Sequence, residues 1–286
     1  MHPIAFQLGR LTIYWYGILM VAGFMAGLWT ASRRGLREGI PPEQIIDLGP
    51  WLFVGVFVGA RALYVITFWQ EEFAGKPIWD MFAFWRGGVV YYGGFVGASL
   101  AYTIYARKNK LPFWKGADIL APSIALGYVF GRIGCLMTGC CYGRVCDVPW
   151  AIEFPPASPA FKSQIAAGQL VAGAAESLGV HPTQLYESFL SLGLYTGLAW
   201  LYRRKKFDGQ VFATYLVCYA VLRSFVELFR GDYPLNQRHF GGWVTPAHLV
   251  SILVLATGLV LLRILPRRTP PAAKSPSRHA MGRRSG

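Results

Sequence analysis

Seven apolar runs dominate this 286-residue chain and leave it few folds to choose from. They lie near residues 11–31, 46–68, 89–106, 117–137, 184–202, 210–229 and 245–265. Each is close to the roughly 20 residues that an α-helix needs to cross a hydrocarbon core. Inside lipid every main-chain amide must be satisfied within its own segment, so apolar runs of this length predict helices. Hydrophobic residues make up 54% of the sequence and charged residues only 15%, too few charges for an ordinary soluble domain. The fold class expected is all-α, a polytopic membrane protein of about seven transmembrane helices. Residues 1–265 read as one domain with an external loop at about 139–182, and residues 266–286 as a disordered basic cytoplasmic tail.

Charge placement orients the chain. The net charge of +14 does not point to nucleic acid, because the basic residues sit beside apolar runs and form no separate polar domain. Basic clusters follow runs one (Arg33, Arg34, Arg37), three (Arg107, Lys108, Lys110), five (Arg203, Arg204, Lys205, Lys206) and seven (Arg263, Arg267, Arg268). With seven spans they all fall on one side, which predicts an external N-terminus and a cytoplasmic C-terminus. The first run is no signal peptide, since its basic residues follow it. Gly87-Gly88 and Gly93-Gly94 flank the start of run three, where small residues either let helices approach closely or form a non-helical entry.

Arg61, Arg132 and Arg223 fall within predicted spans, where an arginine costs roughly 2.5–3.5 kcal/mol and persists with a partner or a task. Glu227 stands four residues after Arg223 and shares its helix face; Arg230, seven after, lies near the same face. One glutamate does not balance three arginines, so a bound phosphate or another anion is expected, and guanidinium suits bidentate recognition of phosphate. The heptapeptide from His181 to Glu187 opens run five, with Thr183 as an N-cap candidate; this accounts for a helix start, and its His181, Tyr186 and Glu187 are also placed to position a substrate or move a proton. Four of five cysteines, Cys135, Cys140, Cys141 and Cys146, fall within twelve residues. They admit a disulfide, a metal site or a reactive thiol. Disulfide pairing of Cys140 or Cys141 with Cys135 or Cys146 is favoured outside a bacterial membrane, and the spacing lacks the paired C-x-x-C of ordinary zinc sites. No metal ligand set and no cofactor are expected.

Tyr14-Trp15-Tyr16-Gly17, Gly59-Ala60-Arg61, Trp85-Arg86-Gly87-Gly88, Tyr92-Gly93-Gly94, Gly131-Arg132-Ile133-Gly134, the His181–Glu187 heptapeptide and the octapeptide from Arg223 to Arg230 occur in this order. In this the sequence resembles the bacterial prolipoprotein diacylglyceryl transferases, from its first run to about residue 265. The resemblance implies a multi-pass enzyme of the bacterial inner membrane. Its partners would be phosphatidylglycerol, the lipobox-containing signal peptides of prolipoproteins and membrane lipids. A diacylglyceryl group would pass to a cysteine thiol and glycerol phosphate would leave. The catalytic residues expected are Arg132, Arg223, Glu227, Tyr92 and His181. Substrate binding is expected from Tyr16, Arg61, Arg86, Gly131, Gly143, Gln184, Tyr186, Glu187 and Arg230. The chain departs from the family where many members carry histidine at Tyr92, and asparagine, asparagine and glutamate at Cys135, Thr138 and Cys140. An unperturbed tyrosine, with a pKa near 10, is a weak general base, which turns attention to His181 or Glu227. The rival readings are a lipid-binding paralogue without transferase activity and a thiol-redox membrane protein.

Overall fold

The structure, a computed structural model, describes residues 3–9, 11–83, 87–171, 173–232 and 245–268. It opens on a short antiparallel hairpin, β1 (Ile4–Leu8) and β2 (Leu11–Tyr14), paired Leu8 to Leu11 and Gln7 to Thr12. The hairpin is an addition to a mostly helical chain, and it moves the start of the first helix from residue 11 to Trp15. Leu11 to Tyr14 is a short stretch of β-branched, aromatic and leucine side chains, and Gly9 at φ 61° supplies the left-handed turn that a two-residue loop requires. The amide of Trp15 then donates to Pro3 O (3.0 Å), pinning the hairpin to the first helix.

Seven long helices follow among the described residues: α1 (Trp15–Arg37), α3 (Leu48–Thr67), α4 (Tyr91–Lys108), α5 (Phe113–Thr138), α7 (Thr183–Tyr202), α8 (Gln210–Glu227) and α9 (Pro246–Arg268). Apart from the first, they start within four residues of the expected runs. Short helices α2 (Pro42–Ile46) and α6 (Pro159–Ala166) lie in connections. Four segments, Trp15–Arg37, Pro42–Thr67, Phe113–Thr138 and Pro246–Arg267, are long and apolar enough by length and composition to cross a membrane. The other three long helices are diluted by polar side chains. Helix α4 carries four tyrosines, α7 carries Gln184 and Glu187, and α8 carries Arg223 and Glu227.

Packing explains why small residues recur. Helix α3 packs on α4, α1 on α5, α5 on α7 and α8 on α9. Between α3 and α4 the contact is main chain against main chain. A Cβ on Gly59 would stand 2.3 Å from Gly93 O, and one on Gly97 only 2.0 Å from Gly55 O. Any side chain at these four positions would force the helices apart. Gly87 and Gly88, with φ of 81° and 76°, instead make a non-helical entry to α4. Large apolar side chains on the outer helix faces stay exposed, among them Ile66, Phe189, Ile252 and Leu253. Such exposure is unfavourable in water and suits a lipid environment.

The apolar core is lodged at one end, around Ala31, Ile45, Leu48, Tyr105, Ile119, Leu198 and Val211. The loop between α5 and α7 folds over the other end around its own core of Leu136, Tyr142, Phe154, Ala160 and Val180. It is stitched to the chain just after α8 by the isolated pairing of Gly143 with Arg230, and to itself by that of Val145 with Val180.

Candidate active site

Helices α5, α7 and α8 converge at this loop-covered end. Arg132 leaves α5 one turn after Tyr128, so both side chains share a face, and its Nη2 donates to the Tyr128 hydroxyl. Its guanidinium also lies 4.7 Å from the Tyr128 ring centroid. Arg132 Nε is ion-paired with Glu187 Oε2 from the first turns of α7. The other oxygen of Glu187 receives Arg223 Nη1 from α8 at 3.1 Å. Arg223 Nη2 then meets Glu227 Oε2 at 2.7 Å, one turn further along α8. Glu227 Oε1 accepts from the Thr245 hydroxyl at 2.7 Å, and the Thr245 amide donates to His248 Nδ1 at 3.2 Å.

The result is a buried chain of alternating charge, Arg132–Glu187–Arg223–Glu227. The expected Arg223–Glu227 pair is present. The expectation of a single glutamate within reach is corrected: Glu187, from another helix, bridges both arginines. Two guanidiniums therefore face two carboxylates. Donors remain: Arg132 Nη1 and Arg223 Nε have no partner among the described residues. A small cavity beside the chain, lined by Tyr128, Glu187, Tyr219, Leu222, Arg223 and Val226, has a volume of about 20 Å³. That is room for a water molecule and no more.

The remaining sequence candidates divide. Tyr16 packs its ring on Gly134, where a Cβ would come within 2.9 Å of Tyr16 Cδ2, and it sits in the electrostatic field of Arg132. Gly131 faces Met20 on α1. Gly143 has no room for a side chain, since a Cβ there would meet His181 Cβ at 2.5 Å and Phe229 O at 2.8 Å. It is the stitch between the loop and α8. Arg230 is buried and ion-paired with Asp232, Nε to Oδ1 at 2.8 Å. Gln184 is fully buried, and its Nε2 donates to Cys140 O at 2.7 Å while its Oε1 has no partner among the described residues. Thr183 is the first helical residue, not the N-cap; Pro182 stands at that position, and the Thr183 hydroxyl donates to Cys141 O at 2.7 Å.

Three candidates point elsewhere. His181 Nδ1 lies 3.2 Å from the Tyr186 hydroxyl, which accepts from Trp150 Nε1 at 2.7 Å, and its ring meets Phe229 edge-on. Its side-chain contacts are thus with the loop cluster and not with the arginine chain. Arg61 aims its guanidinium at carbonyls of Asp80, Met81, Gly87 and Gly88 at 2.6–2.9 Å, bracing the connection into α4. Tyr92 is half exposed, with its ring against Tyr91. It is Tyr91 that lies in the field of both Arg132 and Arg223. Arg86 lies outside the described residues. The five cysteines are all unbridged, which corrects the expected disulfide.

Sequence reasoning missed Tyr128, Tyr219, Thr245 and His248. The signal for Tyr128 was its spacing of four from Arg132. Thr245 and His248 belong to the start of the last helix, and only the fold brings them to Glu227.

Comparison with known proteins bears on the same residues. The family model described as prolipoprotein diacylglyceryl transferase matches residues 3–264. A phosphatidylglycerol–prolipoprotein diacylglyceryl transferase of Chromohalobacter salexigens is 33% identical over 269 residues, covering 94% of this chain and 93% of the relative. Its counterpart in Solidesulfovibrio magneticus is 34% identical over 273 residues, 94% of this chain and 95% of the relative. That of Vibrio cholerae is 34% identical over 264 residues, with 91% and 90% covered. The family match spans the hairpin, six of the long helices, all but the last four residues of α9, and every residue of the arginine–glutamate chain: this membrane protein belongs to the prolipoprotein diacylglyceryl transferase family.

Proposed function

We propose that this chain transfers the diacylglyceryl group of phosphatidylglycerol to the lipobox cysteine thiol of prolipoproteins, releasing glycerol phosphate. The observation that carries the reading is the pair Arg132 and Arg223, held on two helices by one shared carboxylate, with guanidinium donors left over. The reaction breaks a bond between a glycerol carbon and a phosphate oxygen, so negative charge grows on the phosphate as it leaves. Donors fixed in advance beside that oxygen favour the transition state over the ground state. Glu187 sets the separation of the two guanidiniums, and Glu227, itself fixed by Thr245, orients Arg223. The acceptor thiol must lose its proton to attack. Tyr92, His181, Arg61 and Arg86 remain candidates for contact with one substrate or the other.

The reading includes the topology. Seven spans would place the basic ends of α1, α4, α7 and α9 in the cytoplasm, and the arginine chain with its covering loop near the outer leaflet of a bacterial inner membrane. What supports it is the number of long helices together with the alternation of basic clusters. The test is direct: purified protein is incubated with phosphatidylglycerol vesicles and a lipobox peptide, and the peptide mass is measured. The peptide should gain one diacylglyceryl group, and a peptide with serine in place of its cysteine should gain none. An unchanged mass with well-folded protein would favour a lipid-binding paralogue.

A further inference from the structure

The cysteines that the sequence left open converge in space. Cys135 occupies the last turn of α5, Gly139 ends that helix at φ 72°, and the Cys140 amide returns to Cys135 O at 3.2 Å. Cys141 then takes a left-handed conformation, φ 60°, rare for a residue with a side chain and costly by about 1–3 kcal/mol. Two consecutive left-handed turns, at Gly139 and Cys141, fold the chain back on the helix end. The Sγ atoms of Cys135, Cys140 and Cys141 consequently all lie within 4.8 Å of one another. Spacings of five and one residues hide this grouping from any search for paired C-x-x-C motifs.

The turn is braced from α7. Thr183 and Gln184, both fully buried, each bond one of the two cysteine carbonyls at 2.7 Å. A strained backbone persists where the surroundings over-determine it, and such places concentrate at functional sites. Simple packing of three thiols does not require the strain at Cys141. Disulfide chemistry within the trio is poorly served too, because adjacent Cys140 and Cys141 are ill placed to pair and either bridge to Cys135 leaves the third thiol of the group unused.

Three soft sulfur ligands suit a thiophilic ion. With zinc–sulfur bonds of about 2.3 Å, tetrahedral sulfurs stand about 3.8 Å apart, so the group must close by at most about 1 Å to bind. Three thiolates around a dication leave one negative charge, and Arg132 and Arg230 are placed to act on Cys141. No fourth ligand joins the group among the described residues. Three protein ligands with one position open is the pattern of reactive zinc sites, whereas structural sites are closed by four.

We propose that Cys135, Cys140 and Cys141 hold one thiophilic divalent cation of the zinc class, with its fourth position open to an incoming thiol. Resting on the transfer reading above, the incoming group is the acceptor cysteine. Its thiol gives its proton to solvent on binding the metal. The resulting sulfur forms a bond to the glycerol carbon while the carbon–oxygen bond to phosphate breaks. The electron pair of that bond goes to the departing phosphate beside Arg132. The product thioether is a weak ligand and leaves. A metal-held thiolate would supply the activation that Tyr92 is poorly suited to give.

The full-length protein, purified with reductant and loaded with zinc, should retain about one ion per chain by elemental analysis. The variants C135S, C140S and C141S should each lose at least about ten-fold in retained metal, while C146S and C218S keep it. Because a serine variant could misfold, cobalt-loaded wild-type protein supplies a second reading. It should show thiolate-to-cobalt charge transfer, and its visible bands should shift when a lipobox peptide is added and stay fixed with the serine version. Wild-type protein that retains no metal, metal surviving in C135S/C140S/C141S, or a chain isolated two hydrogens lighter from an internal disulfide would each overturn the site. Metal content is read without turnover. A chain that binds zinc and transfers no lipid keeps the site and defeats the transfer reading; full transfer in metal-free protein does the reverse.

Discussion

Helices α5, α7 and α8 carry a buried ionic cluster at each end, Asp118 with Lys205 at one and Arg132 with Glu187 and Arg223 at the other. Along α5 the two lie fourteen residues apart, about 21 Å at 1.5 Å per residue. At the basic end, Asp118 accepts from the amides of Gly209 (2.8 Å) and Phe212 (2.9 Å), and from Lys205 at 3.3 Å. It thereby caps α8 from a neighbouring helix, since Gly209 has no side chain to do so. Lys205 also reaches Glu38 (3.1 Å) and Asp208 (3.0 Å), and Arg34 donates to Ser123 Oγ at 2.9 Å. Here the charges hold a helix start as well as one another. At the other end they are spent on one another. Glu187 Oε2 and Glu227 Oε2 face guanidiniums but receive no well-directed hydrogen bond, and donors are left over. The first arrangement is a clamp. The second is the arrangement on which the phosphate-holding proposal rests.

The sharpest way to break this contrast is at the shared carboxylate. Glu187→Gln leaves two buried guanidiniums facing Glu227 alone, and breaking a buried pair costs about 3–5 kcal/mol. Thermal unfolding in detergent should shift down strongly, and transfer should fall with it. Glu187→Gln with wild-type stability would mean that the bridge does not organise the site. Asp118→Ala should cost about 1–3 kcal/mol for each amide it strands, yet leave the transfer rate per folded molecule unchanged. A lowered rate per folded molecule would erase the distinction between the two ends. Glu227→Gln keeps the shape and the Thr245 contact but weakens the hold on Arg223. An expected loss of about 1–2 kcal/mol corresponds to roughly five- to thirty-fold in rate, and the melting temperature should fall too, by less than in Glu187→Gln because Arg223 keeps Glu187 and the Arg132 pair is untouched.

The smallest effect expected is in the clamp's response to acid. Burial pushes the Glu38 carboxyl up, but Lys205 and Lys115 outweigh it and hold the carboxyl below its ordinary value. Such a group contributes stability above its unfolded pKa and loses it as pH falls through the lower folded value. Melting temperature should therefore decline below about pH 4.5, and less steeply in Glu38→Gln. Identical acid profiles for the two proteins would remove Glu38 from the clamp.

Legibility in the sequence followed the range of the interaction. Apolar runs specify helices within a few residues, because a helix satisfies its own main chain. Arg223 and Glu227 were readable because they are four apart on one helix. Glu187 looked like part of a helix start, and its bridge to Arg132 and Arg223 depends on how three helices pack. Asp118 passed unread inside an apolar run for the same reason. The hairpin at residues 4–14 was lost to a hydrophobic pattern that strand and helix share over a few residues. Arg61 carried the same intramembrane signal as Arg132, but a local turn at Gly87 and Gly88 supplies its carbonyls. The cysteine cluster depended on two left-handed residues, and only Gly139 announces one.

The central claim is that Arg132 and Arg223 hold the lipid phosphate through the planar fork of guanidinium, beyond their mere charge. The measurement is the rate of lipid transfer by Arg132→Lys and Arg223→Lys at matched levels of folded protein, beside Arg204→Lys as a control outside the site. Lysine keeps the charge and loses the fork. Each site variant should lose on the order of 2–4 kcal/mol of transition-state stabilisation, roughly 30- to 1,000-fold in rate, with the control unchanged. Near-normal transfer by both site variants would contradict the phosphate-holding role and leave the chain Arg132–Glu187–Arg223–Glu227 as a second clamp.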